Sequence, residues 1–113
     1  MSEGHRLILM IDAERHGSVT LTVDHRIVVG RSDPAEPPVE TLGLDLAPYG
    51  GERSGVSRVH AALFSDVDGI YVEDLESTSG TFLNGLRLLP SRPYRLRGGD
   101  ELELGRARVT VRL

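Results

Sequence analysis

Two arginines and several hydroxyl side chains stand beside glycine-containing turns at four places in the chain. The four segments are Gly30-Arg31, Ser57-Arg58-Val59-His60, Ser77-Thr78-Ser79-Gly80-Thr81 and Asn84-Gly85. Guanidinium groups bind phosphate oxygens through paired, charge-assisted hydrogen bonds, and hydroxyl groups can complete the set of donors. No cluster of acids, bases or metal ligands accompanies these residues, so they favour capture of a phosphate group over bond breaking. We therefore expect a binding module that is not an enzyme and needs no cofactor or metal.

Each of these segments lies where an apolar, strand-like stretch meets a turn. Arg31 follows the apolar run 27–29, and Ser57 and Arg58 begin another. Thr78 and Ser79 stand in a polar turn that follows the apolar stretch 70–72. A side chain at a strand end has a fixed Cα and reaches over the sheet edge. We predict that these residues meet at one rim of the fold.

Short apolar stretches separated by turn residues recur along the chain at intervals of about 8–12 residues, a pattern typical of an all-β sandwich or barrel. We predict strands over 7–11, 18–23, 27–29, 59–64, 70–72, 94–96, 102–104 and 109–111. The continuous apolar run 7–11 predicts a strand buried on both faces. Asp66-Val67-Asp68-Gly69 separates two apolar arms and predicts a hairpin. Residues 1–5 are expected to form a disordered tail, and residues 6–113 a single domain.

Residues 32–55 form a long connection that departs from this regular spacing of apolar stretches. The segment contains four prolines, and only 44–46 resembles a strand. Connections of this length are uncommon in compact domains and are often functional. Because the segment leads directly to Ser57, we expect it to belong to the binding region.

The composition excludes several classes of protein. The chain has 113 residues, 39% hydrophobic and 27% charged, and contains no cysteine. All 13 basic residues are arginines, which excludes lysine-based catalysis, and the net charge of −4 disfavours nucleic-acid binding. No apolar run approaches the ~18 residues of a membrane span. We expect a cytoplasmic protein that binds neither nucleic acid nor membrane; the sequence makes no prediction of its oligomeric state.

The order and spacing of the four segments resemble the forkhead-associated (FHA) domain, a module that reads phosphothreonine. The family pattern runs Gly-Arg, Ser-Arg-x-His, Ser-Thr-Asn-Gly-Thr and Asn-Gly, and the likeness extends from Leu7 to the closing segment 98–105. The resemblance implies a sandwich of about eleven mostly antiparallel strands with the binding loops at one end.

The resemblance also implies which residues contact the ligand. Arg31 and Ser57 would bind the phosphate, Arg58 would join them, and Thr78 would help to seat the phosphothreonine. Ser79 departs from the family pattern, which usually has an asparagine whose amide holds the backbone of the ligand. Serine has one short hydroxyl in place of a longer amide that donates and accepts through separate atoms. We therefore expect weaker or differently selective binding.

A second group of residues is expected to support the site without touching the ligand: Gly30, His60, Gly80, Asn84 and Gly85. His60 follows Ser57 by three residues, but the nucleophile elbow and helix of a hydrolase are missing around Ser57. A structural role for the histidine is the simpler interpretation.

The function expected from the resemblance is a phosphothreonine-binding adaptor in Ser/Thr kinase signalling. Its partners would be threonine-phosphorylated proteins, the substrates of such a kinase. The alternative is a scaffold that keeps the FHA fold and binds partners independently of phosphate. Ordinary interpretations of single residues also stay open: Arg31 paired with Asp33, Arg58 solvated, and Thr78 and Ser79 as turn hydroxyls.

Overall fold

Eleven β-strands account for most of the regular structure in the computed structural model, which describes residues 4–39 and 42–113. The strands are β1 (His5–Asp12), β2 (His16–Val23), β3 (Ile27–Gly30), β4 (Leu42–Asp45), β5 (Val59–Ser65), β6 (Ile70–Asp74), β7 (Thr81–Leu83), β8 (Leu86–Arg87), β9 (Tyr94–Leu96), β10 (Glu101–Leu104) and β11 (Ala107–Arg112). The all-β prediction is confirmed. The three-residue β7 and the two-residue β8 were not among the strands predicted from apolar stretches.

The strands form two sheets that enclose the core. One has the order β2-β1-β11-β10-β7-β8 and the other β4-β3-β5-β6-β9. Every strand pair is antiparallel except β3–β4, which is parallel. Leu9 and Val109 of the first sheet and Leu63 and Val72 of the second belong to one cluster of buried apolar residues. The molecule is therefore the predicted sandwich.

The first strand corrects one prediction. Its burial alternates: Leu7, Leu9 and Ile11 are almost completely buried, whereas Ile8 and Met10 are each 39% exposed. Successive side chains of a strand point to opposite faces, and only one face of β1 meets the core. The expectation of burial on both faces is wrong because apolar residues also occupy the solvent face. The strand begins at His5, the last residue of the tail expected over 1–5, and residues 1–3 lie outside the described part.

The long segment 32–55 contains more structure than predicted. Its strand β4 covers Leu42–Asp45, and a 3-10 helix at Ala47–Tyr49 follows. Asp45 Oδ1 accepts hydrogen bonds from the backbone N–H groups of Ser32 and Ala47, both 2.9 Å away. Burial raises the pKa of Asp45, but hydrogen bonds from the Ser32 side chain and from the backbone N–H groups of Ala47 and Ser32 outweigh it and hold the pKa below its usual value. The carboxylate thus ties the start of the connection, at Ser32, to Ala47 beside the end of β3.

The predicted hairpin between β5 and β6 is confirmed. Asp66 Oδ1 accepts hydrogen bonds from the backbone N–H groups of Asp68 and Gly69, at 2.8 and 3.1 Å. The side chain of Asp66 thereby closes the turn. Among the described residues, no helix has the length and apolar character that crossing a membrane requires.

Candidate functional site

A groove of about 410 Å³ opens at the end of the sandwich where β3 ends and β5 begins. It is lined by Arg31, Glu52, Gly55, Val56, Ser57, Arg58, Thr78 and Ser79. The structure therefore brings together all five residues that the sequence singled out for ligand contact. Glu52 and Gly55 come from the long connection and Val56 follows it directly; none of the three was predicted.

Arg31 is held in place along the groove. Its Nε donates a hydrogen bond of 2.7 Å to the carbonyl of Val56, and its backbone N–H donates to Arg58 at 3.3 Å. Its terminal Nη1 lies 3.8 Å from Asp33 Oδ2, so the pairing with Asp33 exists only at long range. The side chain is 18% exposed. A guanidinium fixed through Nε keeps its terminal nitrogens for a bidentate anion.

Ser57 and Thr78 connect the two loops that form the groove. The hydroxyl oxygen of Ser57 accepts a hydrogen bond of 3.0 Å from the backbone N–H of Thr78. A hydroxyl group has one donor proton in addition to its acceptor positions. The proton of Ser57 therefore stays available for an oxygen of a ligand, while its lone pair orders the loop of Thr78.

Arg58 is oriented towards the proline-rich connection. Its Nη2 donates a 2.9 Å hydrogen bond to the carbonyl of Pro37, and its Nη1 lies 3.7 Å from Glu36 Oε2. Its Nε is buried and makes no hydrogen bond. The side chain lines the groove and also an adjoining cleft formed by residues 32–39. The hydrogen bond of Arg58 to the domain therefore uses a terminal nitrogen, whereas that of Arg31 uses Nε.

His60 is completely buried and bridges the two loops from below. Its Nδ1 accepts the backbone N–H of Ser57 at 2.9 Å, which places the ring proton on Nε2, and Nε2 donates to the carbonyl of Gly80 at 2.9 Å. Burial lowers the pKa of His60, although the Gly80 hydrogen bond and the charge of Asp74 act in the opposite direction. The neutral ring joins a loop of one sheet to a loop of the other.

Two glycines permit this close approach of loops. A Cβ on Gly30 would lie 2.0 Å from the carbonyl oxygen of Arg58, so any larger residue would displace the backbone. Gly80 has a φ of +90°, a conformation that L-residues rarely adopt. These glycines shape the groove through the backbone alone.

Asp74 is a further residue of the site that sequence reasoning missed. It is 2% exposed, and its Oδ1 accepts hydrogen bonds from the hydroxyls of Ser77 and Thr81 at 2.5 and 2.7 Å. Ser77 Oγ in turn accepts the backbone N–H of Gly80 at 3.0 Å. The carboxylate therefore fixes the backbone that carries Thr78 and Ser79. An aspartate followed by a serine three residues later is a turn motif that could have indicated it.

The Asn84-Gly85 turn lies away from the groove, at the other end of β7. Asn84 has a φ of +50°, and its side chain bonds to Asp100 Oδ1 at 3.0 Å and to the N–H of Glu101 at 2.9 Å. The tight turn is as predicted, but it braces the turn before β10 and does not contact the binding loops.

Ser79 is exposed beside Gly55, whose φ is +83°. A Cβ on Gly55 would lie 3.0 Å from Ser79 Oγ, so the two loops approach each other closely here. Within the described residues, the side chain of Ser79 makes no hydrogen bond to the domain. It is therefore available to a ligand.

Comparison with known proteins places these features in a family. Protein FraH of Nostoc sp. is 49% identical over 51 residues, which is 45% of this chain and 18% of FraH. The chain thus spans less than a fifth of that relative.

Solved structures match almost the whole chain. An FHA domain of an Arabidopsis thaliana protein has a TM-score of 0.78 and 25% identity, with 100% of this chain and 92% of the other covered. A domain solved in a study of phosphothreonine-dependent FHA interactions has a TM-score of 0.70 and 25% identity, with 96% and 97% covered. The sequence model of the FHA domain matches residues 27–105. The chain therefore belongs to the FHA domain family of phosphopeptide-binding modules.

Proposed function

We propose that this domain binds phosphothreonine on protein partners. The ligand would occupy the groove between the loop that follows β3 and the loops that precede β5 and β7. The observation that carries the proposal is the meeting of Arg31, Ser57, Arg58, Thr78 and Ser79 along one cavity. A structurally similar FHA domain was studied for phosphothreonine-dependent interactions, which supports the same ligand class here.

The chemistry divides among the groove residues. Arg31 supplies two terminal nitrogens to the phosphate, and Ser57 supplies its hydroxyl proton. Thr78 and Ser79 place hydroxyl groups beside the main chain of the ligand. Each charge-assisted hydrogen bond is worth about 1.5–3 kcal/mol, and ordering the peptide costs part of this gain. The result is an affinity in the micromolar range, ~1 μM to ~100 μM.

The role we infer is that of an adaptor in Ser/Thr kinase signalling. Recognition of a phosphorylated side chain makes binding conditional on a kinase. Partners would be proteins that such a kinase phosphorylates on threonine. The groove supplies recognition, and the rest of the sandwich supplies a stable frame.

Calorimetry with three matched peptides tests the proposal. Peptides with phosphothreonine, phosphoserine and unmodified threonine are titrated into the domain and into the R31A variant. We expect the phosphothreonine peptide to bind most tightly, and R31A to lose about 2–5 kcal/mol of its binding free energy. Arg92→Ala, a change of an exposed arginine outside the groove, is the matched control. Equal binding of all three peptides overturns the proposal.

A second candidate function is a scaffold that binds partners without phosphate. The contacts of Arg58 with Pro37 and Glu36 favour it, because they already use part of this guanidinium. The same experiment discriminates between the two. A scaffold retains its partner when Arg31 is replaced, and a phosphate reader does not.

A further inference from the structure

Glu52 is the one groove residue whose charge does not suit an anion. It lies along the same cavity as Arg31 and Ser57, and it is exposed. Asp33 and Glu36, which line the adjoining cleft, lie 3.8 Å from Arg31 and 3.7 Å from Arg58, respectively. Within the described part of the chain, Glu52 forms no ion pair.

The backbone around Glu52, which lines the groove, is held by hydrogen bonds. Its carbonyl accepts the N–H of Gly55 at 3.1 Å. On either side, the N–H of Val56 donates to Gly51 at 2.8 Å and the N–H of Ser54 donates to Gly50 at 3.1 Å. These bonds close a tight turn that presents Glu52 at the groove.

The neighbouring cation does not neutralise Glu52. Arg53 extends towards Glu14, with Nη1 3.7 Å from Glu14 Oε1, and is 84% exposed. A dianionic phosphate bound at Arg31 would therefore share the groove with an uncompensated carboxylate. Like charges in one groove repel each other unless a cation lies between or beside them. Arg31 and Arg58 of the same groove are assigned to the phosphate, so the ligand itself is the further source of a cation for Glu52.

We propose that Glu52 selects phosphothreonine peptides that have an arginine or lysine close to the phosphothreonine, and disfavours peptides with acidic residues there. This inference rests on the proposed function of the groove. The ligand cation contacts the Glu52 carboxylate while the phosphate contacts Arg31. Both charges of the ligand are then matched by opposite charges on fixed loops, which gives specificity more than affinity.

The test uses fluorescence anisotropy with phosphothreonine peptides that differ at a single flanking position. Arginine, alanine or glutamate is placed in turn at each of about three positions on either side, which an extended chain carries to about 10 Å from the phosphothreonine. We expect the arginine peptide to bind about 3–10-fold more tightly than the glutamate peptide at one or more positions. This affinity ratio is the one expected when an exposed or half-buried ion pair in one peptide takes the place of a repulsion between two carboxylates in the other.

Variants of Glu52 then assign the preference. E52Q should bring the arginine-to-glutamate ratio close to one, and E52R should reverse it in favour of the acidic peptide. Glu103→Gln, which removes the same charge from β10, should leave the ratio unchanged. A preference that E52Q does not alter, or the absence of any preference, overturns the inference and leaves the proposed function standing. Failure of every phosphothreonine peptide to bind overturns both.

Discussion

The hydroxyl oxygen of Ser57 accepts the backbone N–H of Thr78 at 3.0 Å, and this hydrogen bond joins loops that lead into different sheets. Ser57 precedes β5 of the five-stranded sheet, whereas Thr78 precedes β7 of the six-stranded sheet. The groove is therefore a product of the sandwich as a whole. Either sheet alone would supply only part of the groove lining.

Replacement of Ser57 by alanine should weaken phosphopeptide binding with little change in stability. The variant loses the hydroxyl that would donate to the phosphate and that accepts the backbone N–H of Thr78. Because this N–H is exposed, water can replace the lost acceptor, so the stability changes little. We expect a loss of about 10-fold or more in affinity. Calorimetry with the phosphothreonine peptide measures it. Ser18→Ala, on exposed β2, is the control, and an equal effect of both variants would contradict the role of Ser57.

Replacement of Asp74 by asparagine should reduce both stability and binding. The asparagine oxygen can still accept the hydroxyl hydrogen bonds of Ser77 and Thr81, because both go to Oδ1. The NH2 group that replaces Oδ2, however, cannot accept the backbone N–H of Ser77, and the buried charge that strengthens all three bonds is lost. We expect the free energy of unfolding to fall by about 1–3 kcal/mol, as measured by urea denaturation. Asp68→Asn, in the exposed hairpin turn, should change it little. A fully stable D74N that binds normally would show that the carboxylate does not order the loop.

The stability should depend on pH through His60. Because burial lowers the folded-state pKa below the ordinary value of 6.5, the unfolded chain takes up a proton first as the pH falls. The contribution of the neutral ring is thus fully present above pH ~6.5 and is lost as the pH falls through the folded-state pKa. Urea denaturation between about pH 8 and about pH 5 measures this loss.

Two variants separate the contribution of His60 from that of exposed histidines. H60Q should have a smaller dependence on pH than the wild type, since the titrating group is gone. H16Q, which changes a side chain 76% exposed beside Asp12, should retain the full dependence. The same slope in H60Q and the wild type would refute the assignment.

Replacement of Gly30 by alanine should destabilise the domain, because the new Cβ would lie 2.0 Å from the carbonyl oxygen of Arg58. A backbone contact cannot be relieved by a rotamer change, so we expect a loss of about 3 kcal/mol, the upper end for overpacking. Gly98→Ala is the control, since its nearest neighbour would be 3.8 Å away. Thermal and urea denaturation of both variants measure the difference; similar stabilities would contradict it.

Replacement of Ser79 by asparagine should strengthen phosphopeptide binding. The longer amide both donates and accepts hydrogen bonds, and Ser79 is exposed along the groove. One additional hydrogen bond of about 1 kcal/mol corresponds to about a 5-fold gain in affinity. Anisotropy with the phosphothreonine peptide measures it, with Ser18→Asn as the control. Unchanged or weaker binding would show that the loop is adapted to serine.

The sequence predicted those parts of the fold that stand out as apolar stretches bounded by turn residues. The run 27–29 was recognisable as a continuous apolar stretch that ends at Gly30, and the hairpin around 66–69 as an Asp-Gly turn between two apolar arms. The strands β7 and β8 were missed because they lack the apolar pattern of buried strands: only Thr81 of β7 is buried, and both residues of β8 are exposed. The solvent face of β1 was misjudged because Ile8 and Met10 are apolar but face no partner layer.

The candidate site was predictable to the extent that its residues occur in short motifs. Arg31, Ser57 and Thr78 stand in such motifs, and the structure places them along one groove. Glu52 could not be identified, because it lies in the long connection whose path depends on contacts distant in sequence. Leu46, for example, donates its N–H to Gly30 at 2.8 Å. Only the folded chain brings that connection to the groove.

The buried carboxylate of Asp74 has a consequence for how such a domain can diverge. It holds the backbone of residues 77–81 through groups that point inwards, while the side chains of Thr78 and Ser79 point to solvent. Substitutions at these two exposed positions can therefore accumulate without disturbing the loop that presents them. Single substitutions that the fold tolerates can therefore change the ligand preference. The serine at position 79, where the family usually has asparagine, is a substitution of this kind.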